Sequence, residues 1–165
     1  MSESDVLQSS PNDLAAEAYE RGLALRKAGL FKQSIEQFEK ATGNPALALK
    51  AYAQIGLSQK SCDRYDDAVT AFRNALKSPG ASTKDIVQIL YVLGRTLESL
   101  GRVAEALEAY RWLRREDSLY RDVGERIETL STARTQGEQR TSQKTTQAGT
   151  SQHLHAWQSL LRNVK

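Results

Sequence analysis

The residues best equipped for chemistry in this chain of 165 residues are two histidines one position apart, His153 and His155, and a single cysteine, Cys62. Two imidazoles so spaced can ligate a metal or move a proton near neutral pH, but a metal site needs further ligands and an acid–base pair needs a partner in reach. No Asp, Glu or Cys lies beside them in the sequence to complete a site. No glycine-rich phosphate loop is present either, and Cys62 falls at a turn between two predicted helices, where nothing marks it as a nucleophile. The chain therefore reads as a non-enzyme with no metal site and no cofactor.

Charge narrows the partners. Residues 1–130 hold 18 Lys and Arg against 19 Asp and Glu, so the excess behind the net charge of +3 sits after residue 130. A near-neutral body with a sparsely basic tail lacks the basic face of a nucleic-acid binder, and no nucleic acid is expected. The amino terminus, MSESDVLQSSPND, has neither a basic region nor an apolar run. No stretch approaches the roughly 18 apolar residues of a membrane span. A soluble cytoplasmic protein without a membrane partner is the expectation, and the lone cysteine excludes an intramolecular disulfide.

The elements that position any functional surface are helices: aromatic and proline content is low and Ala, Leu, Glu, Lys and Gln are abundant, which predicts an all-α fold. They are organised around residues 46–79, ALALKAYAQIGLSQKSCDRYDDAVTAFRNALKSP, whose pattern recurs before and after. Tyr52, Ile55, Gly56, Tyr65, Ala68, Phe72, Ala75 and Pro79 fall on the series W-x2-L-G-x2-Y…A-x3-F…P, and the stretch resembles the tetratricopeptide repeat. Tyr52 stands for the tryptophan, Gln59 for the second aromatic, and Pro79 comes one place early. The resemblance implies a right-handed α-solenoid of antiparallel helix pairs. Small residues at Gly56 and Ala68 let the two helices of a pair approach, and Tyr52, Tyr65 and Phe72 fill the space around that contact. Asp63 is expected to cap the second helix, with Asp66 three residues on at the positive end of its dipole.

Taken in order, residues 1–10 are polar and without periodicity and are predicted to be disordered. Ser10-Pro11-Asn12-Asp13 then reads as a helix start, opening a domain over 11–132. A first repeat, about 15–45, places Gly22 at the close crossing, Gly29 at the turn and Ser34, Phe38 and Ala41 on the packing face. Gly22 to Gly56 and Phe31 to Tyr65 are both 34 residues, whereas Gly56 to Gly94 is 38. The four extra residues fall in SPGASTKD, where Ser82 and Asp85 offer a capping box to the next helix. The third repeat, about 84–117, supplies Leu90, Leu93, Gly94, Leu97, Gly101, Val103, Ala106 and Tyr110, with Leu113 in place of the usual alanine. Residues 118–132 are predicted as a closing helix burying Leu119, Tyr120, Val123, Ile127 and Leu130, which makes seven helices, and Trp112 is expected to lie beneath it.

The family resemblance also implies where a partner binds, because the groove of such arrays is lined by fixed positions of each first helix. Those positions here include Tyr19, Leu23, Arg26 and Lys27, then Lys50, Gln54, Leu57 and Lys60, then Tyr91, Val92 and Arg95. Apolar anchors ringed by cations suit a protein or peptide partner whose acidic groups flank apolar side chains, as for an adaptor or scaffold. The carboxylate clamp by which chaperone-tail adaptors of this family hold a terminal carboxylate would fall on Tyr19, Leu23, Gln54, Gln88 and Val92. None matches the Lys, Asn and Arg it needs, so heat-shock chaperone tails are not expected ligands.

Residues 133–152 carry alanine as their only apolar residue and are predicted to be a flexible linker. The last thirteen residues, HLHAWQSLLRNVK, differ: Leu154, Trp157, Leu160, Leu161 and Val164 recur at helical spacing on one face. Trp157, Leu160 and Leu161 are the expected anchors of a docking segment, which would enter its own groove or pair with a second copy as a homo-oligomer. A self-assembling structural protein is the alternative function.

Overall fold

The computed structural model describes residues 10–139, and all regular structure among them is helical: α1 (Pro11–Lys27), α2 (Phe31–Ala41), α3 (Pro45–Ser61), α4 (Tyr65–Lys77), α5 (Thr83–Ser99), α6 (Val103–Glu116) and α7 (123–139). The chain divides into two compact units at Gly124. In the first, α1–α2, α3–α4 and α5–α6 are helix pairs, and α2 packs on α3 as α4 does on α5. This is an all-α solenoid of helix pairs.

The first helix of each pair begins on a side-chain cap. Ser10 Oγ accepts from the Asp13 amide at 3.2 Å while the Asp13 carboxylate accepts from the Ser10 amide at 3.1 Å. Asn44 Oδ1 accepts from the Ala46 amide at 2.9 Å, and Ser82 Oγ from the Asp85 amide at 3.2 Å. The second helices have no such cap. Each follows a main-chain turn in which Leu30, Arg64 or Arg102 donates back to Leu25, Gln59 or Leu97, all at 2.9 Å. The residue inside each turn is left-handed: Gly29 (φ 79°), Asp63 (φ 58°) and Gly101 (φ 69°). Asp63 is thus not a helix cap. It occupies the position where the other two repeats have glycine, and its Oδ1 accepts from the Tyr65 hydroxyl at 3.2 Å.

The small-against-large pattern is met in space. A Cβ on Gly22, Gly56 or Gly94 would lie 2.7, 2.6 or 2.5 Å from the ring of Phe38, Phe72 or Tyr110, respectively. Ile35, Phe38, Ile55 and Ala71 form a core cluster against which Tyr19, Leu23 and Tyr52 pack. Between α2 and α3 the buried hydroxyls of Ser34 and Ser58 stand 3.0 Å apart. Ser34 already donates to the Phe31 carbonyl at 2.7 Å, so Ser58 is the donor of that pair. On the outer side, Arg102 reaches both Glu105 (2.7 Å) and Asp66 (3.1 Å), and Arg73 pairs with the same Glu105, so four charges tie α4 to α6.

The expected closing helix starts later than its sequence suggests. Asp117 Oδ1 accepts from the Leu119 amide at 3.0 Å, a local bond that competes with helix, and Arg121 is left-handed at φ 49°. Residues 118–122 are therefore turns, Leu119 is 89% exposed rather than buried, and α7 begins at residue 123. Trp112, expected to be covered, is 37% exposed, and its Nε1 donates to Glu116 at 3.2 Å. Residues 133–139, read as the start of a linker, continue the helix, with an Arg134–Glu138 pair at 3.5 Å one turn apart. Residues 140–165, which include the rest of the expected linker, both histidines and the apolar segment, lie outside the described residues, as do residues 1–9.

Candidate functional site

The three first helices, α1, α3 and α5, share a cleft of about 220 Å³. Its floor is apolar: Leu49, Phe72 and Ile89 are buried, with Ala53, Leu57 and Val92 above them. Tyr19, Gln54 and Gln88 add polar groups, and the charged residues Lys50 and Asp85 lie at its edge. A wider hollow of about 500 Å³ at the other face of α1 draws only on the first helix pair, Leu14 and the paired Glu17 and Arg21 among its walls. The cleft across three repeats is the better candidate, because it gathers apolar area and polar groups from separate elements.

Of the residues expected to line a groove, Tyr19, Lys50, Gln54, Leu57 and Val92 meet in this cleft. Leu23 packs on the core cluster beside it. Arg26, Lys27 and Lys60 lie in the last turns of α1 and α3, where cations also favour the negative ends of the helix dipoles, and Arg95 lies one turn before the end of α5. Arg26 and Lys60 are half-buried and Lys27 and Arg95 exposed.

Tyr91 does not line the cleft. It is 8% exposed, its ring stands 5.6 Å from that of Tyr120 and 6.3 Å from that of Tyr110, and its hydroxyl donates to Asp122 at 2.9 Å. The Arg121 guanidinium sits 4.8 Å from the centre of the Tyr91 ring. Tyr91 therefore helps close the end of the third repeat and is not the groove anchor its spacing suggests.

Leu49, Phe72, Asp85 and Ile89 were not among the expected lining. Leu49 continues the row Ala53–Leu57 one turn toward the helix start, and Asp85, Ile89 and Val92 form the matching row on α5, so extending each row by one turn finds them. Phe72 belongs to a second helix and reaches the cleft past Gly56, through the space that a side chain there would fill.

Electrostatics mark two groups on this face. Burial raises the Tyr19 hydroxyl above the ordinary tyrosine range, against a hydrogen bond from Gln54 and the nearby Arg26 charge that act to lower it. Gln54 Oε1 is buried without a partner. Arg26 Nε is likewise buried and unpartnered. One free acceptor and one free donor thus flank the tyrosine. Among the described residues no group of His, Cys, Asp and Glu could hold a metal ion, and no helix is long and apolar enough to cross a membrane.

Residues 63–119 match a family profile described as Tetratricopeptide repeat. No curated protein sequence matches the chain. Among solved structures, that of MamA is similar at 20% identity, with a TM-score of 0.64 over 79% of this chain and 73% of MamA. The second such domain of human RPAP3, in complex with the HSP70 peptide SGPTIEEVD, is 16% identical, with a TM-score of 0.60 over 73% of this chain and 98% of that domain. The Yersinia enterocolitica type III secretion chaperone SycD, in complex with a peptide of the translocator YopD, is 12% identical, with a TM-score of 0.60 over 74% of this chain and 95% of SycD. At these identities the likeness is one of fold.

Proposed function

Because this chain is a tetratricopeptide repeat protein, we propose that it works as a non-enzymatic adaptor holding a peptide segment of a protein partner in the cleft between α1, α3 and α5. The observation that carries this reading is the cleft itself, an apolar floor from the second and third repeats with Tyr19 of the first at its side and Gln54, whose buried Oε1 has no partner, in its lining. An extended or helical segment would place an apolar side chain on Leu49, Leu57, Ile89 and Val92 and offer an N–H to Gln54. Acidic residues on either side would meet Lys50, Lys60, Arg26, Lys27 and Arg95. Two of the similar folds hold peptides of their partners, which supports the general mode. The chemistry of a terminal-carboxylate clamp is lacking here, since Tyr19, Leu23, Gln54, Gln88 and Val92 supply no cation at its positions.

Comparing proteins captured by the wild type and by a Leu57→Glu, Lys60→Glu, Arg95→Glu triple variant of unchanged helicity tests it. Loss of the wild-type partners is expected, and an unchanged set would move the site off the cleft. Exposed Leu14, Leu30 and Trp112, all away from the cleft, favour a second reading in which copies associate. Light scattering that stays monomeric over a wide concentration range removes it.

A further inference from the structure

We propose that the cleft has an occupant within this chain: residues 153–165, seated with Trp157 on the apolar floor. The proposal rests on the reading of the cleft as a peptide site. The cleft suits a large apolar group that carries a hydrogen-bond donor, because Leu49, Ala53, Leu57, Phe72, Ile89 and Val92 line it together with Gln54, whose buried Oε1 has no partner. The indole of Trp157 is such a group, apolar over its face with one N–H and no acceptor. Gln54 can turn its amide about a soft terminal torsion to meet it. Leu154, Leu160, Leu161 and Val164 share the face of Trp157 at helical spacing, so the segment brings a whole stripe and not a single anchor.

Connection and charge fit this assignment. Residues 140–152, between the end of α7 and the segment, are polar and contain one apolar residue, Ala148. Thirteen residues of such composition have an r.m.s. span of about 20 Å, and a tether of that length gives an effective concentration on the order of millimolar. Asp85 at the cleft edge supplies an acidic group for Arg162 or Lys165. The cations Arg26, Lys27, Lys60 and Arg95 repel those same two residues, so the segment holds the cleft weakly. An acidic partner segment pairs with these cations instead and displaces it. The tail is then a placeholder that raises the threshold for partner binding and covers the apolar floor when no partner is present.

The test compares full-length wild type with full-length Trp157→Ala by amide NMR; the substitution lies outside the repeats, so their folding is not at issue. Shifts are expected at Tyr19, Gln54, Leu57 and Val92 and at the Gln54 side-chain amide, and unmoved cleft resonances would overturn the proposal. As a second readout, in full-length Trp112→Phe, excited at the red edge where tyrosine does not absorb, only Trp157 fluoresces. Its emission is expected to be blue-shifted and to return to that of an indole in water on adding Leu57→Glu; water-like emission from the outset rejects the seating. Both signals are expected to be constant on dilution, and a signal that fades overturns the intrachain arrangement. A cleft that takes partner peptides but ignores Trp157→Ala refutes this inference and leaves the adaptor function standing. Failure of the adaptor function shows separately, in the capture experiment.

Discussion

Gly56 faces the edge of the Phe72 ring so closely that a Cβ on it would lie 2.6 Å from Phe72 Cε1. Two effects oppose each other in Gly56→Ala. Alanine gains about 1 kcal/mol of helix propensity, whereas forcing a methyl into a filled core costs about 1–3 kcal/mol. Phe72 is 1% exposed, so shifting its ring disturbs close core packing, and overlap wins. Urea denaturation should show net destabilisation, with partial recovery in Gly56→Ala, Phe72→Leu. Gly43→Ala, where nothing lies within 4 Å, is the control and should be close to neutral.

The Ser34–Ser58 pair makes a prediction about coupling. Ser34→Ala removes the acceptor and leaves the Ser58 hydroxyl buried, at a cost of about 1–3 kcal/mol. Alanine is the residue at the matching positions Ala68 and Ala106, so the site tolerates that shape. The double variant Ser34→Ala, Ser58→Ala should therefore be less destabilised than the sum of the two single variants. Strict additivity in a double-mutant cycle would show that the two hydroxyls do not depend on each other.

At Asp63 the left-handed backbone is the deciding term. Aspartate tolerates φ 58° better than most residues, and a β-branched side chain does not. Asp63→Val should lower stability by about 1–2 kcal/mol, and Asp63→Gly, which restores the residue of the other two turns, should be neutral or stabilising. A helix-capping role would instead make both substitutions destabilising, and thermal melts distinguish the two patterns.

Glu105 gives the outer face a pH dependence. Hydrogen bonds from Arg102, and secondarily from Arg73, hold its carboxyl down at about 2. A lowered folded-state pKa means that its stabilisation is complete above the unfolded carboxyl range near 4.5 and is lost as pH falls toward 2. Acid denaturation of wild type and Glu105→Gln should show a gap in stability at neutral pH that closes across this window. A constant gap would mean that the carboxylate charge is not what binds α4 to α6.

Much of this molecule was legible in the order of its residues, because what specifies it is local. The alternation of small and large side chains at a spacing of 34, then 38, gave the helix pairs, their contact residues Gly22, Gly56 and Gly94, and the caps at Ser10 and Ser82; volume and period are properties of the sequence itself. The direction in which a side chain leaves its helix toward a neighbour is not local. Tyr91 occupies a groove position by spacing, yet the turn at Asp117–Asp122 brings Tyr120 and Arg121 over it and draws it into the core. That same turn, with its left-handed Arg121, delayed α7 and left Leu119 exposed. Asp63 has the chemistry of a cap, but the chain reversal between α3 and α4 fixed its φ and gave it a glycine's position. Phe72 entered the cleft only because Gly56 leaves it the space. Sequence thus determined which faces meet, and the tertiary structure decided which side chains those meetings bury and which remain free to bind.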